Sequence, residues 1–322
     1  MSKDDDQSDL VKYLDSLVEE LRELISAALS GEDVDAVHDA RVITRRLKAA
    51  SDLVETVVSK RCRKPFDRVG KSLRRQLGPL RDADVMLEHL DEFRQAKLQP
   101  AIKWMRDRLA YQRQKVVQTA SGQTPPARIL ARLGSWWGLR HDIEAAHDKI
   151  GELLTHSIHL QLDAFIEQAE DLIGPRQNDP HQLRIAGKSL RYTLEMARES
   201  GVNLPKSVGT LFKRMQTALG LWHDFVVLAE RIMCESVECD LALHHPALQG
   251  ELLSVAQVCL KKSDAQLKKM AQLWKTRGQS LAETIRGAFP LTRHGTVNPI
   301  PVSAAEAAAT IPPETSSAAP AA

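Results

Sequence analysis

Four basic side chains near the start of the chain, His38, Arg41, Arg45 and Lys48, are spaced by three, four and three residues. On a helix turning about 100° per residue they share one narrow arc. Ala40, Ile43, Leu47, Ala50 and Val54 fall on the opposite side, so the apolar face of such a helix leaves the basic row outward. His181, Arg184, Lys188 and Arg191 repeat the arrangement against Leu183, Ala186, Leu190 and Leu194. A third row, Lys64, Arg68, Lys71 and Arg75, opposes Val69, Leu73, Leu77 and Leu80. A fourth keeps Lys206 and Lys213, with Arg214 alongside, but has Thr210 and Thr217 where the third has arginine, so weaker anion binding is expected there.

A single charged row is ordinarily a solvated helix face. Solvated faces, however, alternate acids and bases, because like charges one turn apart repel. Base stacked on base over four helices calls for a negatively charged guest. Arginine grips phosphate oxygens with a planar fork, and lysine adds a mobile point charge. From His38 to Lys48 the row is about 15 Å long at 1.5 Å per residue, a length suited to a chain of phosphates rather than one small ligand. His38 and His181 head their rows; beside phosphates such a histidine is protonated near neutral pH and donates from both nitrogens, which predicts tighter binding at pH 6 than at pH 8. The plainer alternative is a histidine hydrogen-bonded at a helix start. Asp52 and Glu195, at matched positions, and Asp82 and Asp224, also matched, read as carboxylates that orient nearby bases, with metal ligation as the rival role.

The elements that must hold these rows come from one pattern used twice. VHDARVITRRLKAA (37–50) matches PHQLRIAGKSLRYT (180–193), and LGPLRDADV (77–85) matches LGLWHDFVV (219–227), in nearly constant register. This reads as an internal duplication of a helical unit. Leu10, Tyr13, Leu14, Leu17, Leu21, Leu24 and Ala28 recur at helical spacing over 9–29, and further helices are expected at about 34–58, 65–94, 97–119, 141–173, 180–200, 205–235 and 247–285. Pro65, Pro180 and Pro205 are placed as first-turn prolines. The breaker cluster ASGQTPPA (120–127) separates the halves, and disorder is expected over 1–8 and over an Ala/Pro-rich tail, 287–322.

Composition fits this reading. With 43% hydrophobic and 27% charged residues the chain resembles an ordinary globular protein, whereas 4% aromatic residues are few for reading bases by stacking. The formal net charge of +2 conceals segregation: 1–35 carry eleven Asp/Glu against three Lys/Arg, and 36–81 carry thirteen Lys/Arg against four Asp/Glu. Cys62, Cys234, Cys239 and Cys259 form no CxxC pair, so no zinc and no other metal or cofactor is expected. No signal peptide or membrane span is read, and a cytoplasmic protein without membrane contact is the expectation.

The duplicated H-x-x-R-x-x-x-[RK]-x-L-[RK] segment, each copy followed by LGxx[RH]D, resembles the conserved-histidine α-helical domain (CHAD) family over about residues 8–286. The resemblance implies an all-α fold of two pseudo-symmetric four-helix bundles (half one 9–119, half two 141–286, within a domain 9–286), with basic rows lining a central groove or pore. It also implies binding of inorganic polyphosphate, in some members on polyphosphate granules. Carried over position by position, it assigns that role to His38, Arg41, Arg45, Arg46, Lys48, Lys64, Arg68, Lys71 and Arg75, and to His181, Arg184, Lys188, Arg191, Lys206, Lys213 and Arg214. Ser189 departs from the pattern where the first copy has Arg46. No alternating Glu-x-Glu-x-Lys strand of the triphosphate-tunnel hydrolases is found, so a stand-alone binding domain, not an enzyme, is expected.

Two other functions compete. His-Asp dipeptides at 38–39, 141–142, 147–148 and 223–224 suggest a metal-dependent phosphohydrolase, but Gln182 replaces Asp39 in the second copy and the nearby bases would repel a cation. Basic helices also contact nucleic acid, and non-specific contact with its phosphates is an expected side activity, although no helix-turn-helix or zinc pattern is present. A scaffold on a granule surface is compatible with either ligand, and the sequence names no protein partner.

Overall fold

Leucines repeating every three or four residues, few β-branched runs and well-placed caps commit this chain to helices. The structure is a computed structural model that describes residues 9–120, 125–173 and 179–290. The expected disorder over 1–8 and over 291–322 lies outside the described residues. Every regular element among the described residues is helical: α1 (Asp9–Ser30), α2 (Val34–Leu53), α3 (Lys60–Leu90), α4 (Gln99–Ala120), α5 (Pro126–Leu133), α6 (Trp136–Ala145), α7 (His147–Ile173), α8 (Pro180–Glu199), α9 (Lys206–Ser236), α10 (Cys239–His244) and α11 (Pro246–Ala288), with one 3-10 turn at Ala96–Leu98.

Local chemistry sets the starts and stops that matter for the rows. Asp33 caps α2 by accepting from the Ala36 amide at 2.9 Å, and Asp179 caps α8 by accepting from the His181 amide at 2.9 Å; each such cap is worth about 1 kcal/mol. Gly31 closes α1 with φ +72°, and a Cβ there would meet Val117 at 2.9 Å, so both its conformation and its setting require glycine. Pro180 is the first residue of α8, as expected, and Pro205 is the cap of α9. Pro65 differs. Helix α3 begins a turn earlier, at Lys60, because Ser59 caps it, and Asp142 holds Ser59 through its amide (3.0 Å) and hydroxyl (2.7 Å).

Three further boundaries depart from expectation. The helix expected to continue to 58 ends at Leu53. The segment expected as one helix over 141–173 breaks at Ala146 (φ −103°, ψ 12°). Two short helices, α5 and α6, fill the join between the sequence halves, burying Ile129, Leu133, Trp136, Leu139 and Ile143. They are held to α1 where Asp15 accepts from the Trp136 indole at 2.7 Å and from the Arg140 guanidinium at 2.9 Å. At the other end α11 runs past the expected tail boundary to Ala288. Phe289 is then buried, and its carbonyl lies 2.6 Å from His159 Nε2.

The all-α expectation is met. The helices bury two apolar cores, and these cut across the two sequence halves. The larger joins Leu14, Leu21, Ile43, Leu73, Ile158, Phe165, Leu190, Phe212 and Ile285; the smaller joins Met86, Leu90, Met105, Phe225, Ile232, Leu252 and Cys259. Helices α3 and α9 have 31 residues each and α11 has 43, so at 1.5 Å per residue each is long enough to pass through both. Helix α2 packs on α3 and on α8, and α9 packs on α8 and on α3. These four helices therefore close a ring, and α2 and α8 bring Arg41, Arg45, Arg184 and Lys188 toward its middle.

Candidate functional site

The apolar sides of α2 and α8 are fixed by Ile43 and Leu47 and by Leu183 and Leu190, all buried, which turns Arg41 and Arg45 toward Arg184 and Lys188 across the contact of the two helices. Helix α3 adds Arg74, Arg81 and Asp82 to this centre, and α9 adds His223 and Asp224. The Arg41 guanidinium donates to the Arg74 carbonyl at 3.1 Å and lies 3.9 Å from the Asp82 carboxylate. Gly78 makes room for it, because a Cβ there would stand 3.1 Å from Arg41 Nη1. Arg74 is fixed in turn by donating to the Thr44 carbonyl at 2.8 Å. The Nε–H groups of Arg41 and Arg184 are both buried and make no hydrogen bond.

The protonation equilibria report a surplus of positive charge. Burial, and then Arg45, pushes Arg41 down to about 10, although Asp82 works against this. Lys188 is held well below the usual ammonium range by burial, Arg184 and Arg45, with Asp224 opposing. Arg184 is lowered by burial and by Arg45 against the pull of Asp224 and Asp82. Burial and Arg184 take His223 to about 4; its ring lies 5.5 Å from that of His181. His38 is lowered by burial and by Arg81, which disfavours its charged form in the free protein. Asp82, although its side chain is 61% exposed, is raised by the desolvation its neighbours impose, against the pull of Arg41 and Arg45. For Asp224, burial is outweighed by His89 and Arg184, and its carboxyl is lowered. Two carboxylates thus face Arg41, Arg45, Arg81, Arg184 and Lys188. A group of negative oxygens entering here would recover the unmade hydrogen bonds and relieve the mutual repulsion.

The remaining sequence candidates divide into two sets. Arg46, Lys48 and Arg191 are engaged by two carboxylates. Glu195 accepts from Arg46 at 3.1 Å and from Arg191 at 3.0 Å, tying α2 to α8, and Asp52 pairs with Lys48. Asp52, Asp82 and Glu195 are thus orienting acids; one helical turn from a base is within reach of a carboxylate, so these rows are not purely basic. Lys64, Arg68, Lys71 and Arg75 are exposed along α3, as are Lys206, Lys213 and Arg214 on α9. On α3 the row keeps the face that continues to Asp82, so it forms a track about 27 Å long leading to the centre. On α9 the hydroxyls of Thr210 and Thr217 donate to their own helix, to the carbonyls of Lys206 (3.0 Å) and Lys213 (2.9 Å).

Arg74, Arg81 and His89 were not among the sequence candidates. Arg74 and Arg81 are seven residues apart and share a face of α3, but that face lies one residue round from the row of Arg68 and Arg75. The His-Asp dipeptides do not assemble. Asp142 is engaged with Ser59, and His147 pairs with its exposed neighbour Asp148 at 2.9 Å. Among the described residues no group of three or more His, Cys, Asp and Glu is placed to hold a metal ion. No helix among them is long and apolar enough to cross a membrane.

Fold and site together define an all-α protein in which α2, α3, α8 and α9 gather cations around one centre. The CHAD-domain family model matches residues 12–233, and the chain belongs to that family. A solved structure, the CHAD domain from the plant Ricinus communis, superposes with a TM-score of 0.56 at 22% identity, covering 88% of this chain and 91% of the other, and shows the shared fold. No curated protein matches the sequence.

Proposed function

We propose that the protein binds inorganic polyphosphate at the centre framed by α2, α3, α8 and α9, and that it acts as a binding domain and not as an enzyme. One observation carries the reading: Arg41, Arg45, Arg184 and Lys188 converge where, among the described residues, Asp82 and Asp224 are the carboxylates that oppose them. A folded protein bears such repulsion when its function supplies the missing negative charge. A linear polyanion has closely spaced charges, little bulk and no hydrophobic demand, and it can reach the centre along the exposed α3 row. The exposed large aromatics Tyr111 and Trp137 belong to α4 and α6, and the aromatics on the row-bearing helices near the centre, Tyr192 and Trp222, are only partly exposed, which disfavours a site built to stack nucleobases. Attachment to polyphosphate granules follows as part of the same proposal.

Titration of labelled polyphosphate at two salt concentrations tests this, together with an R45E/R184E variant and duplex DNA as competitor at equal phosphate concentration. Counterion release from ~5 phosphates lowers affinity about a hundredfold between 50 and 200 mM salt. The double variant keeps its helical content and binds at least about tenfold more weakly. Undiminished binding by the variant removes the centre from the function, and displacement by DNA at equal phosphate makes nucleic acid the ligand.

A further inference from the structure

His89 lies in the last turn of α3 with its side chain only 7% exposed, against the smaller apolar core, which contains Phe225, and next to Asp224 of the basic centre. Its ring packs on Phe225 at 4.7 Å. Nδ1 lies 3.1 Å from the Glu92 carboxylate, and Nε2 lies 3.7 Å from Asp224, too long for a hydrogen bond but within ion-pair range. Asp224 faces Arg184 and His223 on its other side. Glu92 is held from α11 by Lys262 at 3.2 Å, whose ammonium also lies over the rings of Phe93 (4.6 Å) and Phe225 (4.8 Å). The charged groups around the imidazole are therefore Glu92 after α3, Asp224 on α9 and Lys262 on α11; α4 brings the apolar Ile102 and Met105 to this core.

We propose that His89 is a positioning residue for the polyanion site: as an imidazolium it holds and neutralises Asp224, and its deprotonation returns a full negative charge to the face of Arg184 and Lys188. This rests on the polyanion-binding reading above. A buried imidazole between two carboxylates is useful only when charged. Burial would lower its pKa, but contact with Asp224 and Glu92 outweighs burial and raises it above the ordinary 6.5. The sign follows. Below that raised value Asp224 is compensated and the centre is most receptive to anions; as pH rises through it, the compensation is lost and affinity falls. His38 and His223 are lowered and titrate below this window; Lys188, also lowered, faces the anion directly, so the H89Q and D224N variants are what isolate the share of the pH dependence that belongs to His89.

The test measures polyphosphate affinity from pH 6.5 to 8.5 at fixed salt for the unaltered protein, H89Q and D224N, and follows the His89 imidazole by NMR without ligand. The unaltered protein should weaken about fivefold across the window. H89Q should lose most of this pH dependence, and D224N should lose it too and bind more tightly. The His89 resonance should titrate above 6.5 and move down in D224N, a readout that stands even where H89Q folds poorly. An unchanged pH profile in H89Q, or a His89 titration below 6.5, overturns the role of His89 alone. Failure of all three proteins to bind polyphosphate at any pH overturns the functional reading on which that role rests.

Discussion

Replacing Lys188 by methionine separates stability from function. The ammonium is mostly enclosed, with Arg184 one turn before it on α8 and Arg45 and Arg41 across from it on α2, and only Asp224 opposes them. Methionine keeps the length of the side chain without the charge. Removing an enclosed, poorly compensated charge stabilises by about 1–2 kcal/mol, which at this chain length raises Tm by about 2–4 °C. The effect depends on pH. The folded-state pKa is depressed, so the destabilisation is complete at low pH and fades as pH rises through the depressed value toward the unfolded value near 10.4. The unaltered protein therefore gains stability with rising pH in that interval, and K188M lacks this gain. With polyphosphate bound, the entering negative charge favours the ammonium form of Lys188 and gives it a charged contact, so K188M should bind about tenfold more weakly. Melting curves at several pH values, with and without polyphosphate, decide the matter. A K188M that melts lower than the unaltered protein, or that polyphosphate stabilises equally, would refute the claim that the centre is electrostatically strained.

Three other perturbations have defined outcomes. D82N removes the carboxylate 3.9 Å from Arg41; because that side chain is 61% exposed, stability should change by no more than about 0.5 kcal/mol while polyphosphate affinity rises about threefold in a binding titration, and a loss of affinity would make Asp82 part of the ligand's seat. G187A puts a methyl group onto Gln216 Nε2 and within 3.0 Å of Phe165, so overpacking of about 1–3 kcal/mol should lower Tm by about 2–6 °C, whereas an unchanged Tm would show that Gln216 swings aside. His38 is lowered in the free protein and should take up a proton when a polyanion binds beside it; affinity should therefore keep rising below pH 6 and level off in H38A, and an H38A profile like that of the unaltered protein would exclude this uptake.

The long helices were legible because leucine periodicity and local caps determine them without long-range information. The short ones, α5 and α6, were not: eight and ten residues give too few turns for a period, and their stability comes from distant partners such as Asp15 on α1. The basic rows could be read residue by residue, since a helical wheel needs only spacing. Which members converge could not, because Arg46 and Arg191 share Glu195 only once α2 meets α8, and Arg74 and Arg81 join Arg41 only once α3 packs on α2. His89 was silent for the same reason. Alone in a helical pattern it resembles any buried histidine, and its link to Asp224 spans more than a hundred residues of sequence.

The central claim is that a polyanion seats where the four helices meet. A crystal structure of the protein with polyphosphate of defined length tests it most directly. The account predicts phosphate oxygens within hydrogen-bond distance of Arg45, Arg184 and Lys188, with Arg41 still donating to the Arg74 carbonyl. Phosphates found only along the exposed row from Lys64 to Arg75, with the centre closed to them, would contradict it.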